Sequence, residues 1–177
     1  MKTKQLTLTA LLLALSIASQ FLKNTSVYLT GPVINCILIL AAVFCGLWSA
    51  VALSLITPLT SWLITGSLLM GAIPLIVPCV MAGNVILSVL VWVSIRQKLS
   101  TRNLVLGTLF GALLKAAFMG GTISLLLLPL LGPATELPAP ALAAARVTFS
   151  LTQLITALLG GALAALIVPT LEHTSEA

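Results

Sequence analysis

Residues 104–128, LVLGTLFGALLKAAFMGGTISLLLL, form a long apolar run whose only charged side chain is Lys115. About 20 apolar residues are enough to cross the hydrocarbon core of a bilayer as an α-helix. The run therefore predicts a transmembrane helix, and it places one cation within the membrane. Both features recur elsewhere in the chain.

The composition extends this prediction to the whole chain of 177 residues, which is 60% apolar and 6% charged. About a quarter of the residues in a soluble domain are charged, so this composition excludes a soluble fold. The chain lacks most of the usual catalytic groups, because it has no aspartate and its three glutamates lie outside the apolar runs. An enzyme is therefore not expected. The single histidine, His173, lies in a polar tail, and the three cysteines form no C-x-x-C pair, so no metal site is expected.

The same length criterion predicts an all-α, polytopic membrane protein with six transmembrane helices in a single transmembrane domain, residues 1–177. The predicted spans cover residues 5–22, 32–45, 47–65, 74–95, 104–128 and 141–168. The second and third spans are joined by a tight hairpin near Cys45 and Gly46. Residues 129–140, rich in proline and glycine, are expected to form a loop or a re-entrant segment.

Positive charge predicts the orientation of these spans. Five cations fall on one side of a six-span bundle, namely Lys2, Lys4, Arg96, Lys98 and Arg102. The opposite side has Lys23 as its only loop cation, so the positive-inside rule predicts that the N and C termini are cytoplasmic. An alternative treats residues 1–18 as a cleaved signal peptide, but five further spans follow them.

The first predicted span has two distinct faces. Small residues recur every four positions at Ala10, Ala14 and Ala18, a pattern that lets another helix approach closely. Ser16 and Gln20 fall on a different face. The alanines could pack against a neighbouring helix of the same chain, or they could dock a partner.

Two cations lie within apolar spans, Lys115 in the fifth and Arg146 in the sixth. Helix geometry places both in the outer half of the bilayer at nearly the same depth. Intramembrane charges are costly and usually functional, and no intramembrane carboxylate exists to neutralise these two. The functional interpretation is an anionic ligand bound from outside, whereas the alternative is that both side chains snorkel or bond to backbone carbonyls.

Four neutral polar residues could complete such a pocket, namely Asn84, Asn35, Gln20 and Gln153. Gln153 lies seven positions after Arg146, on the same predicted helical face. Each of these residues alone is more often a helix–helix contact than a ligand contact.

Together these features resemble the substrate-binding S component of an energy-coupling factor (ECF) vitamin transporter. The resemblance rests on six spans with both ends cytoplasmic and on the short hairpin between the second and third spans. It rests also on the Ala10-xxx-Ala14-xxx-Ala18 stripe, the Thr30-Gly31-Pro32 sequence and Gly83-Asn84. It implies that the stripe docks onto a transmembrane T subunit, and that two cytoplasmic ATPases supply the energy. It also implies that the protein lies in the plasma membrane of a bacterium. The substrate pocket would lie near the outer face, and the loop from Lys23 to Gly31 would cover this pocket.

The resemblance also narrows the substrate. The chain has no Gly-x-x-x-x-Gly-Lys loop, so ATP would be used only by partner subunits and this chain would hold no cofactor. Members that carry nickel or cobalt use an amino-terminal histidine, which this chain lacks. An acid such as pantothenate, nicotinate, lipoate or another carboxylate vitamin fits the two cations better than thiamine, whose ring is cationic. A stand-alone secondary carrier for a small organic anion, with Lys115 as the titrating group, is the alternative function.

Overall fold

The computed structural model describes residues 3–22 and 26–176, with side chains through Leu171, and in these ranges the chain is all-α as predicted. The α-helices are α1 (Thr3–Gln20), α2 (Val27–Leu40), α3 (Leu47–Thr65), α4 (Leu68–Ala72), α5 (Ile76–Ile95), α6 (Thr101–Met119), α7 (Leu128–Leu131), α8 (Ala139–Thr148) and α9 (Leu151–Glu176). Two π-helical segments extend them, Ala41–Cys45 after α2 and Gly120–Leu127 between α6 and α7.

Five helical stretches are long and apolar enough to cross a membrane. They are Val27–Cys45, Leu47–Thr65, Ile76–Ile95, Thr101–Ala134 and Ala139–Leu171. The first helix, α1, has 18 residues but is not among them, because Lys4 and Gln5 near one end and Gln20 at the other lower its mean hydropathy. The fold is therefore that of a multi-pass membrane protein, while the sixth span and the cytoplasmic termini stay predictions.

Short links reverse the chain at one end of the bundle. Gly46 alone joins the π-helical end of α2 to α3 with a φ of 86°, which glycine adopts without a steric penalty. This is the predicted hairpin. Residues 96–100 join α5 to α6 at the same end, where α1 also begins. We call this the termini end of the bundle, and the opposite end the distal end.

The helix boundaries differ from the predicted spans in three places at the distal end. The helical path that begins with α6 continues to Ala134, so residues 129–134 are helical rather than part of the loop or re-entrant segment expected at 129–140. Helix α2 begins at Val27 rather than near Pro32, which lies inside the helix and is buried. Proline has the φ of a helical residue, and tight packing of α2 against α9 holds this turn helical despite the missing N–H. In the last predicted span, a turn at Phe149 and Ser150 separates α8 from α9. Lys23, the predicted distal loop cation, lies outside the described residues.

Two separate apolar clusters form the core. The larger one, toward the termini end, contains Leu38, Leu53, Leu87, Ala112 and Ala157 among others. The smaller one, toward the distal end, contains Met70, Ile76, Met119, Ile123 and Phe149 among others. On α5 and on α6 the two clusters are separated by one polar residue, Asn84 and Lys115 respectively. The apolar core is therefore interrupted by a polar layer.

Candidate functional site

Lys115 lies at the centre of this polar layer. Its side chain is 2% exposed, and its Nζ donates hydrogen bonds to Asn35 Oδ1 at 2.6 Å and to Asn84 Oδ1 at 2.8 Å. The three residues come from α6, α2 and α5, which are far apart in sequence. The structure thus brings together three of the residues that the sequence singled out.

The Asn35 amide is held in the orientation that this contact requires. Its Nδ2 donates to Gly31 O at 2.9 Å, one helical turn earlier, and to Thr156 Oγ1 of α9 at 3.5 Å. The amide nitrogen therefore faces α2 and α9, and the amide oxygen faces Lys115. A carbonyl oxygen at this distance solvates an ammonium group but does not neutralise its charge.

The charge of Lys115 has no counterion in the described part of the chain. The only carboxylate side chains in the sequence are Glu136, Glu172 and Glu176, and Glu136 is exposed in the link between α7 and α8. An ammonium group has three donor hydrogens, of which two serve the asparagines. An uncompensated buried charge is costly, so Lys115 is suited to bind a group that brings negative charge.

A cavity of about 90 Å³ lies beside these residues. It is large enough for several water molecules, since one needs roughly 10–15 Å³ by this measure. Its polar lining residues are Thr30, Asn35, Thr57, Ser61, Asn84, Lys115 and Gln153. Val27, Met70 and Val80 are among its apolar lining residues. Val27 begins α2 and Gln153 lies near the start of α9, so the cavity lies toward the distal end.

Close helix packing around Asn35 depends on Gly160 of α9. A Cβ atom at this position would lie 2.7 Å from Asn35 Cβ, 2.7 Å from Pro32 O and 2.9 Å from Cys36 N. Two of these neighbours are backbone atoms of α2, which cannot move independently of the helix. Gly160 therefore sets the distance at which α2 presents Asn35 to Lys115.

We expect Gly160→Ala to destabilise the protein by about 1–3 kcal/mol, the usual cost of overpacking, and to weaken ligand binding through Asn35. Unfolding of the protein in detergent, induced by heat or by denaturant, measures the loss of stability. Gly121→Ala is the matched control, because a Cβ there meets no atom within 4 Å. If the two variants are equally stable, Gly160 does not set this spacing.

The two predicted glutamines occupy different places. Gln153 lines the cavity, and its Nε2 donates to Thr148 O at 3.4 Å, across the turn between α8 and α9. Gln20 is fully buried behind the cavity wall, where its Nε2 donates to the backbone oxygen of Thr57 at 3.1 Å. Its Oε1 has no hydrogen-bond partner within the described residues. Gln153 can thus contact a ligand directly, whereas Gln20 supports the wall.

Arg146 is not brought to Lys115, in contrast to the shared pocket expected from the sequence. It is exposed on α8 and lines a separate groove with Ser124 and Ser150. The reason is the turn at Phe149 and Ser150, which changes the register between α8 and α9. Gln153 faces the cavity after this turn, while Arg146 before it faces outward.

The chain matches a known protein family over most of its length. The model of the family described as "ECF transporter, substrate-specific component" matches residues 4–172. The chain belongs to this family. No curated protein and no solved structure gave a significant match.

As a member of this family, this ECF S component is a substrate-specific subunit of a transporter and not an enzyme. Such a subunit binds a small molecule and works with the other parts of the ECF module. A multi-pass membrane protein fits the five long apolar helices. The family thus accounts for a buried polar cavity within a membrane bundle.

The alanine stripe of this S component lies on the outside of the bundle. Ala10, Ala14 and Ala18 are all exposed, whereas Ser16 and Gln20 on another face of α1 are buried. The alanines therefore do not serve close packing within the chain, which was one of the two interpretations. They present a narrow surface of small side chains on the outward-facing side of α1.

Several residues of the site were not singled out from the sequence. Thr156 orients Asn35, and its position three residues after Gln153 on α9 was a usable signal. Thr57, Ser61 and Met70 line the cavity from α3 and α4. Nothing in their local sequence distinguishes them from the many hydroxyl and apolar residues that pack helices in membranes.

Proposed function

We propose that this chain is the membrane-embedded subunit that captures a small anionic vitamin or related micronutrient from outside the cell, and that it delivers this substrate together with a T subunit and two ATPases. The plasma membrane of a bacterium is the proposed location. The family supports the transport role. The observation that carries the anionic substrate is the buried Lys115, which lines the cavity without a carboxylate partner in the described chain.

In this proposal the substrate's carboxylate accepts the third N–H of Lys115 and supplies the missing negative charge. Asn35 and Asn84 hold the ammonium group in place through their Oδ1 atoms. Gln153 offers a neutral amide to another part of the substrate. Arg146 is left out of this site because it does not line the cavity.

Affinities for matched acids and amides test the proposal. The probes are nicotinate against nicotinamide, and pantothenate and lipoate against their primary amides, each titrated into the detergent-purified chain by calorimetry. An amide lacks the negative charge of its acid and should bind more weakly, by about tenfold or more, because a hydrogen bond to a charged group contributes about 1.5–3 kcal/mol. Amides that bind as tightly as their acids would contradict an anionic substrate.

An internal counterion should compete with the substrate. Asn84→Asp keeps the size of the side chain but places a carboxylate against Lys115 Nζ, at the position of the present 2.8 Å contact. We expect the variant to fold and to bind acidic probes at least tenfold more weakly. The new carboxylate neutralises Lys115 and repels the carboxylate of the probe. Calorimetric titration of the same acids measures this.

Asn103→Asp, in the first turn of α6 at the termini end, is the matched control and should bind normally. Full acid affinity in Asn84→Asp would show that the substrate's charge is not recognised at Lys115. The delivery step is tested separately, by uptake into proteoliposomes with and without the T subunit, the ATPases and ATP. Uptake by the chain alone would support the secondary carrier instead.

A further inference from the structure

A second groove, separate from the cavity, lies where two helix irregularities meet at the distal end. The π-helical segment Gly120–Leu127 widens the path between α6 and α7, and the turn at 149–150 interrupts α8 and α9 at the same level. Gly120 allows close approach here, since its Cβ would lie 3.4 Å from Ser150 Cβ. The result is a groove of about 350 Å³ that contains Arg146.

The backbone at Arg146 is held firmly while its side chain remains available. Its carbonyl oxygen accepts hydrogen bonds from Ser124 Oγ at 2.9 Å and from Ser150 Oγ at 2.6 Å. The guanidinium group makes no hydrogen bond or ion pair with the described residues, and the side chain is exposed. The groove therefore contains an unpaired planar cation on an anchored backbone.

We propose that this groove binds a membrane phospholipid, with Arg146 holding the phosphodiester. A guanidinium group matches phosphate oxygens with two parallel hydrogen bonds. Arg146 lies seven residues after Ala139, about 10 Å along the helix, which is within reach of a headgroup for a long side chain.

The rest of the groove fits the other parts of a lipid. Leu125 is 78% exposed and Val147 51% exposed, and they line the groove together with Pro129. These apolar surfaces can contact an acyl chain. Ser124 and Ser150 use their hydrogens on the backbone, so their oxygens remain acceptors for headgroup hydroxyl groups. Phosphatidylglycerol carries such hydroxyl groups and a negative charge.

Native mass spectrometry of the full-length chain, titrated with phosphatidylglycerol in detergent, tests this assignment. We expect the wild type to retain one lipid, and Arg146→Met to lose about tenfold or more in affinity. Arg146→Lys should bind with intermediate affinity, because it keeps the charge but loses the planar fork. Arg102→Met, an exposed cation at the termini end, is the control and should retain the lipid.

Four results would overturn the proposal. Equal lipid affinity in wild type and Arg146→Met, or equal loss in Arg102→Met, would show that the groove is no specific site. Inorganic phosphate that binds as tightly as the lipid would identify a soluble anion as the ligand. Weaker binding of nicotinate, pantothenate or lipoate in Arg146→Met would return Arg146 to the substrate site. The lipid and phosphate results do not bear on Lys115, whose role is tested independently.

Discussion

Lys115→Met is expected to raise the Kd for an acidic substrate about 10- to 150-fold, the equivalent of one charge-assisted hydrogen bond. Methionine keeps the length and apolar stem of the side chain but removes the ammonium group, so it leaves Asn35 and Asn84 in place without their shared donor. Equilibrium binding of the acidic probes to the purified variant measures the change. The affinity for the neutral amides should fall much less.

Lys98→Met is the control for Lys115→Met, because Lys98 is an exposed lysine in the link between α5 and α6. This variant should bind acids as the wild type does. Unfolding in detergent shows whether Lys115→Met still folds, and Asn84→Asp provides a second variant that keeps the lysine. Acid and amide affinities that fall equally in folded Lys115→Met would assign Lys115 to the architecture of the site rather than to charge recognition.

Ala14→Leu is expected to abolish transport, with at least a tenfold loss of uptake, while leaving substrate affinity unchanged. Ala14 lies in the middle of the exposed stripe on α1, where a partner helix could approach only over small side chains. A leucine there would separate the two backbones and overpack the interface, which costs about 1–3 kcal/mol. Co-purification with the T subunit and the ATPases measures assembly, and uptake by cells that produce the whole transporter measures transport.

Ala143→Leu gives the matched control, since Ala143 is an exposed alanine on α8, away from α1. It should assemble and transport normally. Normal assembly of Ala14→Leu would mean that the partner docks elsewhere. Loss of substrate binding in the isolated Ala14→Leu chain would mean that α1 shapes the cavity instead of contacting a partner.

The centre of the site could be predicted because polar residues in apolar helices are rare and costly. Lys115, Asn35 and Asn84 are isolated in apolar runs, and a polar group in hydrocarbon must find a partner. Their convergence follows from helical periodicity and the up-and-down order of the helices. The resemblance to S components rests on the same simple architecture, and the family match agrees with it.

The position of Arg146 could not be predicted from local sequence. The turn that separates α8 from α9 occurs at Phe149 and Ser150, without a proline or glycine to mark it. It is stabilised by tertiary contacts instead, including the bond from Ser124 Oγ to Arg146 O. An uninterrupted helix would have put Arg146 and Gln153 on one face, as the spacing predicted.

The start of α2 was misplaced for a related reason. Proline is a local signal for a helix start or break, but Pro32 lies in the interior of α2 and is buried. Its carbonyl lies close to Gly160 of α9, so packing between these two helices overrides the local preference. As a consequence Thr30 and Gly31, expected in a loop, line the cavity from a helix.

The most direct test of the central claim is native mass spectrometry of the detergent-purified wild-type chain, without added ligand. The measurement reports the mass of any small molecule that copurifies, and release followed by ionisation in both polarities reports its charge. A bound carboxylate that is absent from Lys115→Met and Asn84→Asp but present in Lys98→Met is the predicted result. A chain that carries a cationic or neutral molecule, or that stays empty after incubation with nicotinate, pantothenate and lipoate, would contradict it.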